Sequence, residues 1–262
     1  MKAVRGSGCT IVWSDDGRTI EKRYDQRSWD FHGMRHAPFT KEWRVGSLLG
    51  RQPPPVPFAR MVGADRRRLT LRFEAIEGAP LGPKFAMPGD LADGDVADLI
   101  TLALAMPAYR PRAPFLGRFD LARRLERAVG AGDLSPSAAG AIRRQALDDP
   151  PTFVVGHGDI TARNVMRSAT TGEAVLIDWE WAARYPRGWD LAFLWFSLVD
   201  SPGGRAEVEA AVPPRDEAWF WRSALLVQLL HLTLSGLRPG TPFRPAHERT
   251  RDELVERVLA QE

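Results

Sequence analysis

Cysteine occurs once in the 262 residues, at Cys9. A single cysteine excludes an intramolecular disulfide framework and a cysteine-built zinc site, and it fits a reducing cytoplasm. Lysine is almost as scarce, with four residues, Lys2, Lys22, Lys41 and Lys84. The isoelectric point of about 9.3 therefore reflects a slight arginine excess and no basic tail. Net charge is only +3, too little for a strong general attraction to nucleic acid or to an anionic membrane. The one basic cluster, Arg66-Arg67-Arg68, is short and has no interleaved aromatics. The sequence also lacks a long uninterrupted apolar run. The longest, over 218–234, contains Arg222, Gln228 and His231 and reads as a buried helix instead of a membrane span. The N-terminus shows no basic segment followed by an apolar one, so no signal peptide is expected. There are no internal repeats and no low-complexity segments. The expectation is a cytoplasmic monomer with a small-molecule partner and with neither nucleic acid nor membrane as partner.

What is present is concentrated in one stretch. His157-Gly158-Asp159-Ile160-Thr161-Ala162-Arg163-Asn164 follows a short apolar run, Thr152-Phe153-Val154-Val155, that reads as a strand. Asn164-Val165-Met166-Arg167 and Ala174-Val175-Leu176-Ile177 read as two strands joined by a turn-rich segment ending in Gly172. Asp178 follows the second of them. Asp159, Asn164 and Asp178 should then lie close together, on a loop and beside a hairpin.

Phosphoryl transfer asks for little covalent help. It needs Mg²⁺ on hard oxygen ligands, phosphates held in line, and a carboxylate that orients the attacking hydroxyl and accepts its proton. The kinase catalytic loop is written H-x-D-x-x-x-x-N and is followed by a metal-binding Asp. His157, Asp159 and Asn164 have that spacing, and Asp178 follows a hairpin. Taken singly, these are an ordinary core histidine, a turn residue and a helix cap. The ordered set points to Mg²⁺-dependent phosphoryl transfer.

With Ile177-Asp178-Trp179-Glu180 and Gly188-Trp189-Asp190-Leu191-Ala192, the stretch resembles the core of the aminoglycoside phosphotransferase and choline kinase-like family. That family is the small-molecule branch of the protein-kinase-like fold. Trp179 and Glu180 after Asp178, and the lack of an A-P-E, fit this branch better than the protein kinases. The resemblance implies an α+β, two-lobed protein-kinase-like fold. Residues 1–78 would form a β-rich nucleotide-binding lobe and hinge, and 79–262 a helical lobe with the catalytic loop and acceptor site. It implies that Asp159 orients and deprotonates the acceptor hydroxyl, that Asn164 and Asp178 hold Mg²⁺, and that His157 supports the loop by hydrogen bonding. Asp190 reads from its position as a helix cap, and the resemblance makes it a brace for the loop as well. ATP or GTP is the implied co-substrate.

The N-terminal residues fit that plan. Three short strands are expected before residue 25, the last two joined by a turn at Asp15-Asp16-Gly17. Gly6 and Gly8 lie between the first two, where backbone N–H groups could approach phosphates, or where an ordinary β-turn would do. Ile11 takes the third glycine position of a G-x-G-x-x-G pattern. Alternation puts Ile20, Lys22 and Tyr24 on one strand face, which makes Lys22 the candidate for the α and β phosphates and Arg23 the alternative. A helix is expected over 39–50, and the resemblance gives its Glu42 the task of pairing with that lysine. A hairpin is expected around Gly63-Ala64-Asp65. In the stretch that follows Phe73, the resemblance implies that the Glu74 carbonyl and the Ile76 N–H hold the adenine.

From residue 90 the periodicity is helical. Val96, Leu99, Ile100, Ala103 and Leu104 form one expected face, and Ser135-Pro136 starts another helix with a cap and a first-turn proline. The expected activity is transfer of the γ-phosphate of ATP or GTP to a hydroxyl of an antibiotic or related natural product such as an aminoglycoside. The alternatives are a kinase of a small metabolite of choline, homoserine or sugar type, and a nucleotide-binding relative without catalysis. Glu180, Trp181, Asp200, Asp216 and Glu217 are the residues that could reach the acceptor. From Ala182 onward ten arginines face eleven acids, whereas a polycationic aminoglycoside is better served by a clear acidic excess.

Overall fold

The computed structural model describes residues 3–5, 9–25, 29–31, 34–36, 38–87, 89–198, 201–234 and 244–260. β1 (Ala3–Arg5), β2 (Cys9–Trp13) and β3 (Thr19–Tyr24) are consecutive antiparallel strands. The β2–β3 turn is made by its own side chains. Asp16 Oδ1 accepts from the Arg18 N–H at 3.0 Å, and Gly17 takes the left-handed φ of +69°. β4 (Trp29–Phe31) and β5 (Met34–His36) pair as a small hairpin. α1 (Pro38–Arg51) then buries Phe39, Val45, Leu48 and Leu49, with Glu42 on the same side. β6 (Met61–Asp65) and β7 (Thr70–Glu74) complete a five-stranded sheet of order β1-β2-β3-β7-β6. β3 is its central strand, with Lys22 opposite Ile11 and Leu71.

One expected turn moves. Gly63, Ala64 and Asp65 lie in β6, and the chain reverses at 66–69. Asp65 Oδ1 accepts from the N–H groups of Arg67 and Arg68 at 2.9 and 3.0 Å, and Leu69 takes a φ of 49°. A carboxylate that satisfies two backbone donors fixes a turn more firmly than a glycine that merely permits one.

The rest of the chain is mostly helical. After β8 (Gly78–Pro80) come α2 (Asp95–Ala105), α3 (Leu121–Gly130) and α4 (Pro136–Asp148). Asp120 caps α3 through the Arg123 N–H, and Ser135 caps α4 through the Ala138 N–H. Four short strands follow: β9 (Phe153–Gly156), β10 (Val165–Ser168), β11 (Ala174–Leu176) and β12 (Ala183–Pro186). β9 pairs with β12, and β10 lies between β11 and β8. α5 (Trp189–Ser197), α6 (Pro202–Ala211), α7 (Glu217–Leu234) and α8 (Arg244–Leu259) end the chain. α6 was not expected, because Gly203 and Gly204 follow its opening proline and depress helix propensity.

α5 and α7 are the centre of the core, with Leu194, Phe196, Phe220, Leu225 and Val227 essentially inaccessible. The polar interruptions of α7 are used. Arg222 Nη1 lies 2.6 Å from Asp149 Oδ2 at the end of α4, and Gln228 Nε2 donates to the His247 carbonyl of α8 at 2.8 Å. On α2 the buried side runs through Leu99, Ile100, Leu102 and Ala103, and Leu104 is 41% exposed, contrary to the expected face. Among the described residues no helix is long and apolar enough to cross a membrane.

Candidate active site

β9 leads into His157, which is fully buried, and the chain turns sharply after it. Gly158 has a φ of +85°, and a Cβ there would stand 2.6 Å from Tyr185 Oη and 2.7 Å from the Trp181 carbonyl oxygen. The turn therefore requires glycine on conformational and on spatial grounds. Asp190 lies in the first turn of α5, whose N-cap is Gly188, so its carboxylate does not cap the helix as expected and instead holds the loop. Its Oδ2 accepts from the His157 N–H at 3.0 Å and its Oδ1 from the Gly158 N–H at 2.8 Å. Burial raises the Asp190 carboxyl to about 6, and the two N–H groups oppose that rise. His157 is fully buried. Its Nδ1 accepts from the Asp159 N–H at 3.3 Å while its Nε2–H donates to the Ile177 carbonyl at 2.9 Å. Those two bonds suit the neutral ring, and burial holds its pKa down at about 4. His157 thus ties the loop that follows it to the end of β11.

Asp159 is buried at the floor of the cleft. Asn164 Nδ2 donates to its backbone carbonyl at 2.9 Å and to its Oδ2 at 2.8 Å. Lys84 Nζ stands 3.4 Å from its Oδ1. Burial raises the Asp159 carboxyl to about 6, with Lys84 pulling the other way and Asp178 adding to the rise. A carboxylate in that range accepts a proton at neutral pH more readily than an exposed one.

A second cluster lies one hairpin away. Lys22 Nζ is 2.8 Å from Glu42 Oε2, 2.8 Å from Asp178 Oδ1 and 3.9 Å from Glu180 Oε2. The Tyr24 hydroxyl also donates to Glu42 Oε2. Arg23 faces away and pairs with Glu21. Burial pulls the Lys22 ammonium down, but Glu42 and Asp178 outweigh it and hold it well above its ordinary value. Burial pushes Asp178 up, and Lys22 overrides it, so this carboxyl is held low. Glu42, the most deeply buried, is raised by its desolvation. Glu180 is raised to about 7 by burial and by Asp178 beside it. Asp178 has a φ of 62°, uncommon for a residue with a side chain and of the kind that collects at functional sites.

The donor chemistry fits a divalent cation. Glu42, Asp178 and Glu180 each offer an oxygen within 4.8 Å of the others. Three carboxylates around one ammonium carry excess negative charge, and hard oxygens suit Mg²⁺. Asn164, also expected as a metal ligand, lies against Asp159. Glu180, expected toward the acceptor, joins the Lys22 cluster instead. In the stretch after β7, the Glu74 N–H donates to the Arg60 carbonyl and the Ala75 N–H to the Arg18 carbonyl, both at 2.9 Å. The Ile76 N–H makes no backbone bond to any described residue. Gly6, Gly8 and Asp200 lie outside the described residues.

Beside Asp159 opens a cleft of about 150 Å³ whose lining includes Lys84, Arg124, Trp181, Tyr185, Trp189 and Phe193. Lys84 and Arg124 escaped the sequence reading. Each is a single cation without a motif, Lys84 on the connection from β8 to α2 and Arg124 on the polar-looking side of α3. The scarcity of lysine was the one available signal. Asp216 pairs with Arg187 and Glu217 is exposed, so neither lines the cleft.

Comparison with solved structures returns the same architecture in several kinases. A choline/ethanolamine kinase family protein from Mesorhizobium loti is 15% identical, with a TM-score of 0.68 over 98% of this chain and 87% of that one. The ADP-bound aminoglycoside phosphotransferase APH(2'')-Ib is 10% identical, with a TM-score of 0.64 over 98% and 92%. A macrolide 2'-phosphotransferase from Brachybacterium faecium is 14% identical, with a TM-score of 0.60 over 97% and 91%. At these identities the likeness is one of fold. No curated protein sequence matches significantly. The model of the phosphotransferase enzyme family matches residues 12–227, a span that runs from β2 through the catalytic loop into α7, and the chain belongs to that family.

Proposed function

We propose that the protein is a small-molecule O-phosphotransferase that moves the γ-phosphate of ATP or GTP to a hydroxyl of an acceptor such as an antibiotic, a related natural product or a small metabolite. The observation that carries this reading is the placement of a buried carboxylate, Asp159, on the floor of a small cleft, one hairpin from the Lys22, Glu42 and Asp178 cluster. Residues 1–78 serve as the nucleotide lobe and 79–262 as the acceptor lobe. Lys22, held by Glu42, contacts the α and β phosphates. Gly6 and Gly8 approach the same phosphates, and the Glu74 carbonyl and Ile76 N–H hold the base. Asp178 and Asn164 would hold Mg²⁺, with Glu180 as a further oxygen donor, and the ion would supply positive charge against the negative charge that develops in the transfer.

Asp159 orients the acceptor hydroxyl. Its oxygen attacks the γ-phosphorus, and the bond from that phosphorus to the β–γ bridging oxygen breaks. The nucleoside diphosphate leaves, and the hydroxyl proton passes to Asp159. His157 and Asp190 fix the loop and touch neither reactant. The test is calorimetric titration with ATP and with GTP, with and without Mg²⁺. Micromolar binding that needs Mg²⁺ and disappears in Asp178→Ala is the expected result, and failure of both nucleotides to bind would overturn the reading.

A further inference from the structure

We infer that the acceptor is a hydroxylated molecule with a ring-sized apolar or aromatic body and a carboxylate, the carboxylate seated at Arg124. The inference rests on the phosphotransferase reading, and it names the acceptor that reading leaves open.

The cleft beside Asp159 sets the size. At about 150 Å³ it holds one six-membered ring, since an apolar cavity of about that volume accepts benzene. Its walls set the character of the body. Trp181, Tyr185, Trp189 and Phe193 line it, and Tyr185 and Trp189 are stacked at 4.7 Å with planes 14° apart, a rigid apolar surface.

The charges decide between acceptor classes. Among the described lining residues there are two cations, Lys84 and Arg124, and one acid, Asp159. Asp159 already faces Lys84 and Asn164. A polycation entering here meets two like charges and, among the described lining residues, no carboxylate besides Asp159. A single ammonium could still use the aromatic walls through cation–π attraction. The Phe193 ring, however, already has Lys84 Nζ 5.8 Å from its centroid.

Arg124 is half-buried on α3 with its guanidinium 5.7 Å from the Phe119 ring centroid, and among the described residues it forms no ion pair. The acid nearest in sequence, Asp120, spends its side chain on the α3 cap. Partial desolvation pulls the Arg124 pKa down, the neighbouring Arg127 and Arg123 add to that, and Tyr185 and Asp120 only partly oppose it. A carboxylate on the acceptor would supply a counter-ion in the geometry a guanidinium is made for.

The test compares acceptors of matched size and different charge. Wild-type protein with Mg²⁺ and its nucleotide is offered 4-(hydroxymethyl)benzoate, benzyl alcohol, 4-(aminomethyl)benzyl alcohol, choline and kanamycin. Transfer is read by mass spectrometry and kcat/KM. The carboxylate should exceed the neutral alcohol by about tenfold, the worth of one charge-assisted contact, with the cations below both. Arg124→Gln should remove most of that ratio and Arg124→Lys should restore part of it. Nucleotide titration of each variant reports whether it folds. Cationic acceptors outrunning the carboxylate, no transfer to the carboxylate by a protein that binds Mg²⁺ and nucleotide, or a carboxylate preference untouched by Arg124→Gln in a folded variant would each overturn the inference while leaving the phosphotransferase reading in place. Loss of nucleotide binding by the wild type would instead overturn that reading.

Discussion

In the proposed reaction Asp159 takes the proton, and its burial bears on stability as well. Asp159→Asn keeps the shape and loses the proton acceptor, so turnover should fall about 10²–10⁴-fold while nucleotide affinity stays within about threefold. Unchanged turnover would remove Asp159 from the reaction. Its raised pKa sets the pH dependence. kcat/KM should fall as pH drops through about 6, because the protonated acid accepts nothing. Lys84→Met should move that limb upward, since Lys84 is the charge that opposes the rise. Stability runs the other way. A carboxyl whose pKa is higher folded than unfolded stabilises the fold only when protonated, so the penalty is full above about 6 and fades toward about 4. Asp159→Asn should therefore be about 1–3 kcal/mol more stable than wild type at pH 7, with the gap closing as pH approaches 4. Thermal unfolding across that range checks it. The spacing of Asp159, Asn164 and Asp178 made these residues legible in the sequence. Lys84 and Arg124 were not legible, because a lone cation in a loop or on a helix carries no pattern.

At the scale of the element, the loop from His157 to Asn164 depends on one backbone conformation. Gly158→Ala must adopt a φ of +85° with its new methyl inside contact distance of Tyr185 Oη and the Trp181 carbonyl. The expected cost is about 1–3 kcal/mol from the backbone alone, with more from the overlap. Activity should be lost with it, because His157, Asp159 and the β9–β12 pairing are anchored on either side of this turn. Urea denaturation measures the first effect, and wild-type stability would show that the loop yields. Most elements could be read locally. Strand alternation placed β3, and Ser135-Pro136 placed the start of α4. The turn after β6 was misplaced because the deciding bond comes from the Asp65 side chain, and α6 was missed because its glycines argue against a helix.

At the scale of the whole molecule, the Lys22 cluster joins distant parts of the chain. Lys22 on β3, Glu42 on α1 and Asp178 after β11 meet at one ammonium. A metal–nucleotide complex that compensates the excess acid charge should hold these parts together. At about a hundred times its dissociation constant it should add about 2.7 kcal/mol of stability. Scanning calorimetry should show that gain with Mg²⁺ and ATP or GTP, and its loss on chelation. An equal gain with a chelator present would separate the metal from the acid cluster.

The sequence by itself determined the order of the motif, most of the helices and strands, the Ser135 cap and the family, because each rests on residues a few positions apart whose spacing fixes their mutual geometry. The tertiary structure alone decided that Glu180 joins Lys22 and that Lys84 and Arg124 give the cleft beside Asp159 its positive charge. Those contacts cross long separations between elements without shared periodicity, so only packing brings the side chains together.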